Sequence, residues 1–456
     1  MPQIIFRSLA AMIALAPLPF ASNRPWAWSL LALGVGALLV AWAVAELRSP
    51  QRSAIPLRWH APASAAFLLA LLWAFAQACP WLPGVAPHPL WEAAARALGT
   101  ASPFAAVSLD PGASIGRAMR LLTYGATFWL ALHLCRDTGR ARQLLWVIVL
   151  SGTAYAIYGL IVQFSSLDSI LWYRKWAYGN SLTSTFVNRN SYATYAGMVA
   201  IAALALLASE EERATPVAGA VTTRLVDALD GLRGRAYALL GCLLIVGSAL
   251  LMTESRAGIA SAAAGIAVFF LALALYRRRR HGHTALYAGI VLFAMLLVVM
   301  VSGQGFLHRL TLAGENLHDR ATVWTMTREA IAVRPLAGTG LGTFDDVYLA
   351  QRDERLPSRT HPSVHAHNTY LENALELGIP VSILLTGAVA WLGAWCLHGV
   401  AVRRRHGVYP CAAVGALSLC GLHAGFDFSL QIPAVTLCLM GLLGAGCAQA
   451  NRTAVT

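Results

Sequence analysis

The sequence predicts an all-α, polytopic membrane protein with about 12 transmembrane helices and a helical loop region outside the cytoplasm. Of the 456 residues, 57% are hydrophobic and only 12% are charged, whereas a soluble chain has roughly 25% charged residues. Apolar runs of about 18 to 23 residues recur, and each can cross a hydrocarbon core about 30 Å thick. Arginines are grouped in short segments between these runs, which is typical of cytoplasmic loops.

The predicted spans account for most of the chain. We interpret the first span as a retained helix rather than a signal peptide, because the Pro-Phe-Ala before Ser22 is a poor cleavage site. In order, the spans are placed near 6–21, 26–46, 63–82, 118–135, 143–164, 190–208, 236–253, 257–276, 284–302, 379–398, 408–425 and 430–449.

The arginine-rich loops orient these spans. Such loops follow the second, fourth, eighth and tenth spans, at 48–58, 136–142, 277–280 and 403–405. All four are cytoplasmic if the N-terminus is cytoplasmic, which is the orientation that the positive-inside rule favours. Twelve spans then place both termini in the cytoplasm and leave three substantial segments outside, at 85–117, 166–189 and 303–378.

The charge and the cysteines exclude two classes of partner. The net charge of +13 is almost entirely arginine, since Lys175 is the only lysine. In this setting the arginines are a topology signal and attract anionic membrane lipid, so nucleic acid is not expected as a partner. The eight cysteines lie in or beside apolar runs without CxxC or Cys/His spacing. They are interpreted as small buried hydrophobes rather than metal ligands.

The segment 303–378 is the largest predicted loop, between the ninth and tenth spans of a single membrane domain, 1–456. Residues 318–333 have a helical pattern that ends at Pro335, and a glycine-rich turn follows at 338–344. A second short helix is predicted at about 368–377. A loop this long with helices of its own is usually functional.

Two arginines are candidates for binding an anion on the outer side. Arg189 and Asn190 stand at the entrance to the sixth span, where the helix dipole also favours anions. Arg189 could instead only anchor the helix at the membrane surface. Arg256 lies in a very short outer turn, against the positive-inside trend, and needs an anionic partner. Glu254 could be that partner.

Histidines in the segment before the second loop helix are candidates for acid–base chemistry. His365 and His367 are followed by Asn368, which could cap that helix. A neutral imidazole accepts a proton near physiological pH. The two histidines could also bind a metal with a third ligand such as Glu372, although nothing specific supplies that ligand. Several arginines beside a histidine at the membrane surface suggest a clamp for a lipid diphosphate.

These segments together resemble the O-antigen ligase and polymerase superfamily. The resemblance rests on Phe-Val-Asn-Arg-Asn-Ser-Tyr-Ala, Ser-Arg-Ala-Gly, Arg320 with Trp324, Arg-Pro-Leu-Ala-Gly-Thr-Gly-Leu-Gly-Thr-Phe and His-Ala-His-Asn-Thr-Tyr-Leu-Glu, in this order from about 185 to 385. In the ligase branch, the motif His367-Asn368 continues to Gly378 and then to Gly, Thr or Tyr. This chain has Val381 at that last position.

The resemblance implies a membrane-embedded, inverting glycosyltransferase of the bacterial inner membrane with its active site on the periplasmic face. The donor would be a glycan on undecaprenyl diphosphate, and the acceptor a sugar hydroxyl of the lipid A-core. It implies His367 as the general base and Arg189, Arg256 and Arg320 as diphosphate-binding residues. Asn190, His365 and Asn368 are further candidates for substrate binding, and neither a metal nor another cofactor is expected.

Two alternatives remain open at this stage. A polymerase of the same superfamily would extend the glycan on its lipid carrier, and sequence motifs barely separate it from a ligase. A secondary transporter would also suit twelve spans. The predicted spans have almost no charged residues at mid-depth, which disfavours a transporter, because charged groups in the membrane usually mark its substrate path.

Overall fold

The part of the chain that the structure describes is predominantly helical. The computed structural model describes residues 1–48, 55, 57–80, 82–100, 105–165, 167–175, 177–212, 234–277, 313–351 and 365–451. Fifteen α-helices lie within these ranges: α1 Pro2–Leu15, α2 Pro25–Arg48, α3 Leu57–Gln77, α4 Pro89–Leu98, α5 Pro111–Leu134, α6 Thr138–Phe164, α7 Arg189–Glu211, α8 Gly234–Met252, α9 Arg256–Arg277, α10 Ala313–Val333, α11 Phe344–Gln351, α12 Thr369–Leu377, α13 Ile379–Val402, α14 Val408–Ala424 and α15 Pro433–Ala450. Strands β1 Ser169–Ile170 and β2 Tyr173–Arg174 form an antiparallel pair.

The polytopic helical membrane fold is confirmed, whereas the number of twelve spans stays a prediction. Eight helices in the described residues are long and apolar enough to cross a membrane, namely α2, α3, α6, α7, α8, α9, α13 and α15. Helices α1 and α14 are apolar but shorter. Helix α5 has 24 residues but includes Arg117 and Arg120. The predicted span 284–302 lies outside the described residues.

Helices α7 and α15 form the centre of the bundle. Nearly every residue of both helices is buried, whereas α2 buries only Ala27 and Val35. Both central helices are rich in alanine and glycine, and small residues let neighbouring backbones approach closely in membrane proteins. A Cβ atom added at Gly444 of α15 would lie 2.8 Å from the Phe128 carbonyl oxygen of α5.

Side-chain contacts define two ends of the bundle. At one end, the Ser255 hydroxyl before α9 donates to Asn190 near the start of α7, at 2.7 Å. At the other end, Arg277 of α9 pairs with Glu211 of α7 at 2.6 Å. The two helices therefore run in the same direction. We call the end with the Ser255–Asn190 contact the α12 end. Helix α12 lies there, and its Thr369 donates to the Asp427 carbonyl of the α14–α15 connection.

The predicted loop 303–378 contains α10, α11 and α12. Helices α10 and α12 coincide with the two predicted loop helices, while α11, and α4 in the segment 85–117, had not been predicted. The three loop helices share a small hydrophobic core that includes Val323, Phe344 and Leu375. The glycine-rich turn packs against α12: Gly338 has φ +70°, and a Cβ there would lie 2.3 Å from the Glu376 carbonyl oxygen.

Candidate active site

The imidazole of His367 faces a buried carboxylate. His367 Nδ1 lies 3.5 Å from Oδ1 of Asp427, whose side chain is only 1% exposed. The His367 side chain is 28% exposed although its Nδ1 is buried, so the accessible part of the ring lies away from Asp427. An acidic group behind a histidine favours the tautomer with the proton on the nearer nitrogen. The outer nitrogen can then accept a proton.

Asp427 is held as a carboxylate by its surroundings. Burial alone would raise its pKa, but the interactions with His367, His423 and the Phe428 amide hold the pKa below its ordinary value. The Phe428 N–H donates to Asp427 Oδ1 at 2.6 Å. The connection between α14 and α15 thus places a negative charge next to Nδ1 of His367.

The backbone at His367 is left-handed, and the next residue caps α12. His367 has φ +51°, a conformation that is uncommon for a residue with a side chain and that often marks a functional site. Asn368 Oδ1 accepts from the N–H groups of Tyr370 and Leu371, both at 3.1 Å. The Asn368 side-chain oxygen is therefore occupied by the helix terminus.

His365 forms a second pair with a buried carboxylate. Its Nδ1 lies 2.9 Å from Glu372 Oε1, and its ring stacks on Phe428 with centroids 4.2 Å apart. Burial would raise the pKa of Glu372, but His365, Gln431 and the Ala366 amide hold it below the ordinary value. His365 thus supports the loop beside His367. In the described part of the chain, no three possible metal ligands cluster.

Two side chains of helix α10 form hydrogen bonds to the backbone around the candidate site. Trp324 Nε1 donates to the Ala366 carbonyl between the two histidines, at 2.9 Å. One turn earlier, Arg320 Nη1 donates to the Phe426 carbonyl, next to Asp427, at 3.1 Å. This contact uses one of the five N–H donors of Arg320, so most of the guanidinium can still bind an anion.

Arg189 lies at the first position of α7 among polar groups. Its Nη1 donates to the Ser181 hydroxyl at 2.9 Å and lies 3.7 Å from Glu254 Oε2. Its guanidinium also lies 5.2 Å from the ring centroid of Tyr178. The side chain remains 31% exposed, so it is oriented by the loop but not enclosed.

Asn190 points inward and joins two helix N-termini. It is 9% exposed, and its Oδ1 accepts from Ser255. That contact brings the start of α9, at Arg256, beside the start of α7, at Arg189. Within the described residues, Arg256 makes no side-chain hydrogen bond or ion pair, while Glu254, its expected partner, lies near Arg189.

Tyr178 lies close enough to several site residues for their charges to act on its hydroxyl group. Burial raises the pKa of Tyr178, the charge of Asp427 raises it further, and Arg189 and Arg320 lower it. Both arginines and the carboxylate beneath His367 therefore act on one phenol. Arg256 joins this region through the Ser255–Asn190 contact, whereas the side chains of Asn190 and Asn368 are engaged in the scaffold.

Sequence reasoning did not include Asp427, Glu372 as a partner of His365, or Tyr178 in the predicted site. Asp427 lies 60 residues after His367 in the chain, and a lone acidic residue between two apolar runs was its only signal. Its role follows from the packing of α12 against the α14–α15 connection.

A comparison with protein families gives a match for part of the chain. The family model described as O-antigen ligase matches residues 241–386. The similarity to this family covers about a third of the chain. This match confirms the resemblance to the O-antigen ligase and polymerase superfamily and thus to its glycosyltransferases. The matched residues include Arg256, Arg320 and His367, whereas Arg189 and Asp427 lie outside them. No curated protein sequence matches the chain.

Proposed function

We propose that this protein transfers a glycan from undecaprenyl diphosphate to a sugar hydroxyl of the lipid A-core, with inversion and without a metal ion. The observation that carries the proposal is the partly exposed His367 ring next to buried Asp427, close to a tyrosine, Tyr178, on which the charges of Arg189 and Arg320 also act. A base beside a cluster of guanidinium groups suits a reaction in which a hydroxyl attacks and a diphosphate leaves.

The proposed reaction is a single displacement. The acceptor oxygen forms a bond to the anomeric carbon of the donor sugar, and His367 takes the hydroxyl proton. The bond between that carbon and the diphosphate oxygen breaks, and its electron pair stays on the diphosphate. Arg189, Arg256 and Arg320 stabilise this developing negative charge, an electrostatic contribution that is commonly the largest part of an enzyme's rate acceleration. Asp427 stabilises the imidazolium that His367 becomes.

Reconstituted transfer tests this proposal. Purified protein, lipid-linked glycan and lipid A-core should yield a ligated product whose new glycosidic bond has inverted configuration, and a chelator should not reduce the rate. The Arg189→Lys variant should raise the KM for the lipid-linked donor, because an ammonium cannot reproduce a two-pronged phosphate contact. A strict requirement for a divalent metal, or retention of configuration, would contradict the mechanism.

Deletion of the gene distinguishes a ligase from a polymerase. Loss of a ligase should leave free polymer on undecaprenyl diphosphate while the lipid A-core remains uncapped. Loss of a polymerase should leave single repeat units instead. Accumulation of single units would therefore replace the ligase proposal with the polymerase alternative.

A further inference from the structure

A large cavity that the proposed reaction does not use lies beside α12. It encloses about 910 Å³ and is lined by residues of α3, α5, α13, α14 and α15, with part of α12. This volume lies within the usual range for ligand sites. Most of the lining side chains are apolar, among them Leu122, Phe128, Val389 and Leu417. We call this cavity the α5 groove.

The α5 groove is long and open to the side of the bundle. On α5 its lining extends from Arg117 to Trp129, which at 1.5 Å per residue is about 18 Å. This exceeds half the thickness of a hydrocarbon core of about 30 Å. Several lining residues, including Ala65, Leu122 and Ala390, are exposed on the bundle surface. An acyl chain could therefore enter sideways from the bilayer.

Two arginines close the groove at the α12 end. Arg117 and Arg120 both line it, and their positive charges lie close enough to act on each other. The Arg120 guanidinium lies 4.6 Å from the Trp28 ring centroid, and its buried Nε has no hydrogen-bond partner among the residues that the structure describes. Within the described residues, neither arginine forms a salt bridge. Two adjacent guanidinium groups above an apolar groove suit the phosphate of a lipid headgroup.

The polar end of the groove lies beside the candidate active site. Thr369 and Tyr370 line the groove and follow closely after His367 in the chain. The α14–α15 connection separates the two compartments: Phe428 contacts the histidine rings, whereas Gln431 lines the groove. Inversion requires the nucleophile to approach from the side opposite the leaving group. The groove and the candidate active site are therefore adjacent compartments on either side of this connection, and the donor and the acceptor lipid would approach the reacting carbon from different compartments.

Gln431 connects the two compartments. Arg117 Nη1 donates to Gln431 Oε1 at 3.5 Å, and the Gln431 side chain also helps to stabilise the Glu372 carboxylate that holds His365. A phosphate bound between Arg117 and Arg120 would thus be connected, through the Gln431 side chain, to the Glu372 carboxylate that holds His365.

From this geometry we propose that the α5 groove binds the acceptor lipid, with acyl chain in the apolar part and headgroup phosphate between Arg117 and Arg120. The identity of the lipid rests on the proposed function; the groove and its charges do not. The structure thereby assigns the two lipid substrates to two compartments, the diphosphate donor beside Arg189 and the phosphorylated acceptor beside Arg120.

Direct binding measurements test this assignment independently of catalysis. The full-length protein is placed in phosphatidylcholine nanodiscs, and binding of lipid A-core and of undecaprenyl diphosphate is measured separately. Arg120→Gln removes a charge at the groove, and Ala390→Trp fills its exposed side. Each variant should weaken lipid A-core binding about tenfold and leave undecaprenyl diphosphate binding unchanged.

Matched controls change the same residue types elsewhere. Arg328→Gln removes an exposed arginine of α10, and Ala394→Trp enlarges an exposed alanine one turn beyond Ala390, outside the groove lining. Both should bind lipid A-core as the unmodified protein does. In transfer assays, the groove variants should raise the acceptor KM about tenfold at unchanged donor KM.

Three results would overturn the assignment. These are unchanged lipid A-core binding in both groove variants, loss of undecaprenyl diphosphate binding in either, or equal competition by phosphatidylglycerol, which would make the groove an ordinary phospholipid site. Absence of transfer by the unmodified protein, with lipid A-core binding still dependent on Arg120, would reject the proposed function and keep the acceptor groove.

Discussion

At the scale of single residues, the candidate site consists of two histidine–carboxylate pairs with different exposure. His367 lies 3.5 Å from Asp427 and is 28% exposed, whereas His365 lies 2.9 Å from Glu372 and is 10% exposed. The more open ring can meet a substrate, and the more enclosed one cannot do so without rearrangement. The two histidines, only two positions apart, should therefore respond differently to substitution.

His367→Asn should abolish transfer while preserving the fold. Loss of a general base lowers a rate by about 10²- to 10⁴-fold, and asparagine tolerates the left-handed backbone that this position requires. Transfer kinetics and the apparent melting temperature, measured on the same nanodisc preparation, test the prediction. Transfer within a few-fold of the unmodified rate would remove His367 as the base.

His365→Gln should reduce stability more than activity. The substitution removes the imidazole that contacts the buried Glu372 carboxylate, and a buried charged group that loses its partner costs at least about 1–3 kcal/mol. The melting temperature should fall, and the transfer rate per folded molecule should fall less than in His367→Asn. Adding Glu372→Gln should recover part of the lost stability. A double variant that is less stable than His365→Gln alone would contradict this account.

At the scale of elements, helix N-termini supply two of the three arginines of the predicted diphosphate site. Helices α7 and α9 begin at Arg189 and Arg256, and the Ser255–Asn190 hydrogen bond holds these starts together. The positive ends of two helix dipoles then add to the guanidinium charges. His367 lies just before the Asn368 cap of helix α12, and the far end of this helix carries a second buried carboxyl group, Glu376.

Glu376→Gln should stabilise the protein more at high pH than at low pH. Burial raises the pKa of Glu376 from 4.5 to about 8. Between these values the folded protein keeps a proton that the unfolded chain has released, so the stability contributed by this residue falls as pH rises from 4.5 through 8. Glutamine stays neutral and can still accept from the Phe344 N–H.

Melting temperatures measured between pH 5 and about pH 8.5 test this sign. The gain from Glu376→Gln should be small at the acidic end and grow toward the alkaline end. Glu372→Gln is the matched control on the same helix. Because the pKa of Glu372 is lowered, that variant should lose stability at neutral pH instead. A loss of stability in Glu376→Gln that grows with pH would contradict the buried neutral acid.

At the scale of the whole molecule, side-chain contacts agree with the orientation predicted from arginines. Arg277 and Arg142 pair with Glu211 and Glu210 at the end opposite α12, where the cytoplasmic loops are expected. At the α12 end, Gln77 of α3 donates to the Ala337 and Glu376 carbonyls, so the third predicted span meets the predicted outer segment 303–378 near its predicted outer end. Twelve spans, a single membrane domain and a periplasmic active site in a bacterial inner membrane remain predictions.

Reporter fusions test the predicted topology. Green fluorescent protein fused after residue 281 or at the C-terminus should fluoresce, because both positions are expected in the cytoplasm. Alkaline phosphatase inserted after residue 312, beyond the predicted span 284–302, should be active only if that position is periplasmic. A fusion at 281 that does not fluoresce, or inactive phosphatase at 312, would contradict the predicted crossing between them.

The sequence by itself determined the membrane class and most helix positions, because runs of apolar residues are local and must be buried in lipid whatever the tertiary packing. It also predicted His367, Arg189, Arg256 and Arg320 as site residues, through motifs that resemble the O-antigen ligase and polymerase superfamily. Helices α4 and α11 were missed, because both are short and lie in loops, where periodicity is weak.

Only the tertiary structure decided which polar groups meet. Asp427 comes beneath His367 because α12 packs on the α14–α15 connection, and no local pattern encodes a contact between residues 60 positions apart. The sequence predicted Asn190 as a substrate-binding residue, whereas in the packed structure of α7 and α9 its side chain accepts a hydrogen bond from Ser255. The α5 groove is likewise a space between five helices that are scattered along the chain, and its shape depends on how their side chains fit together.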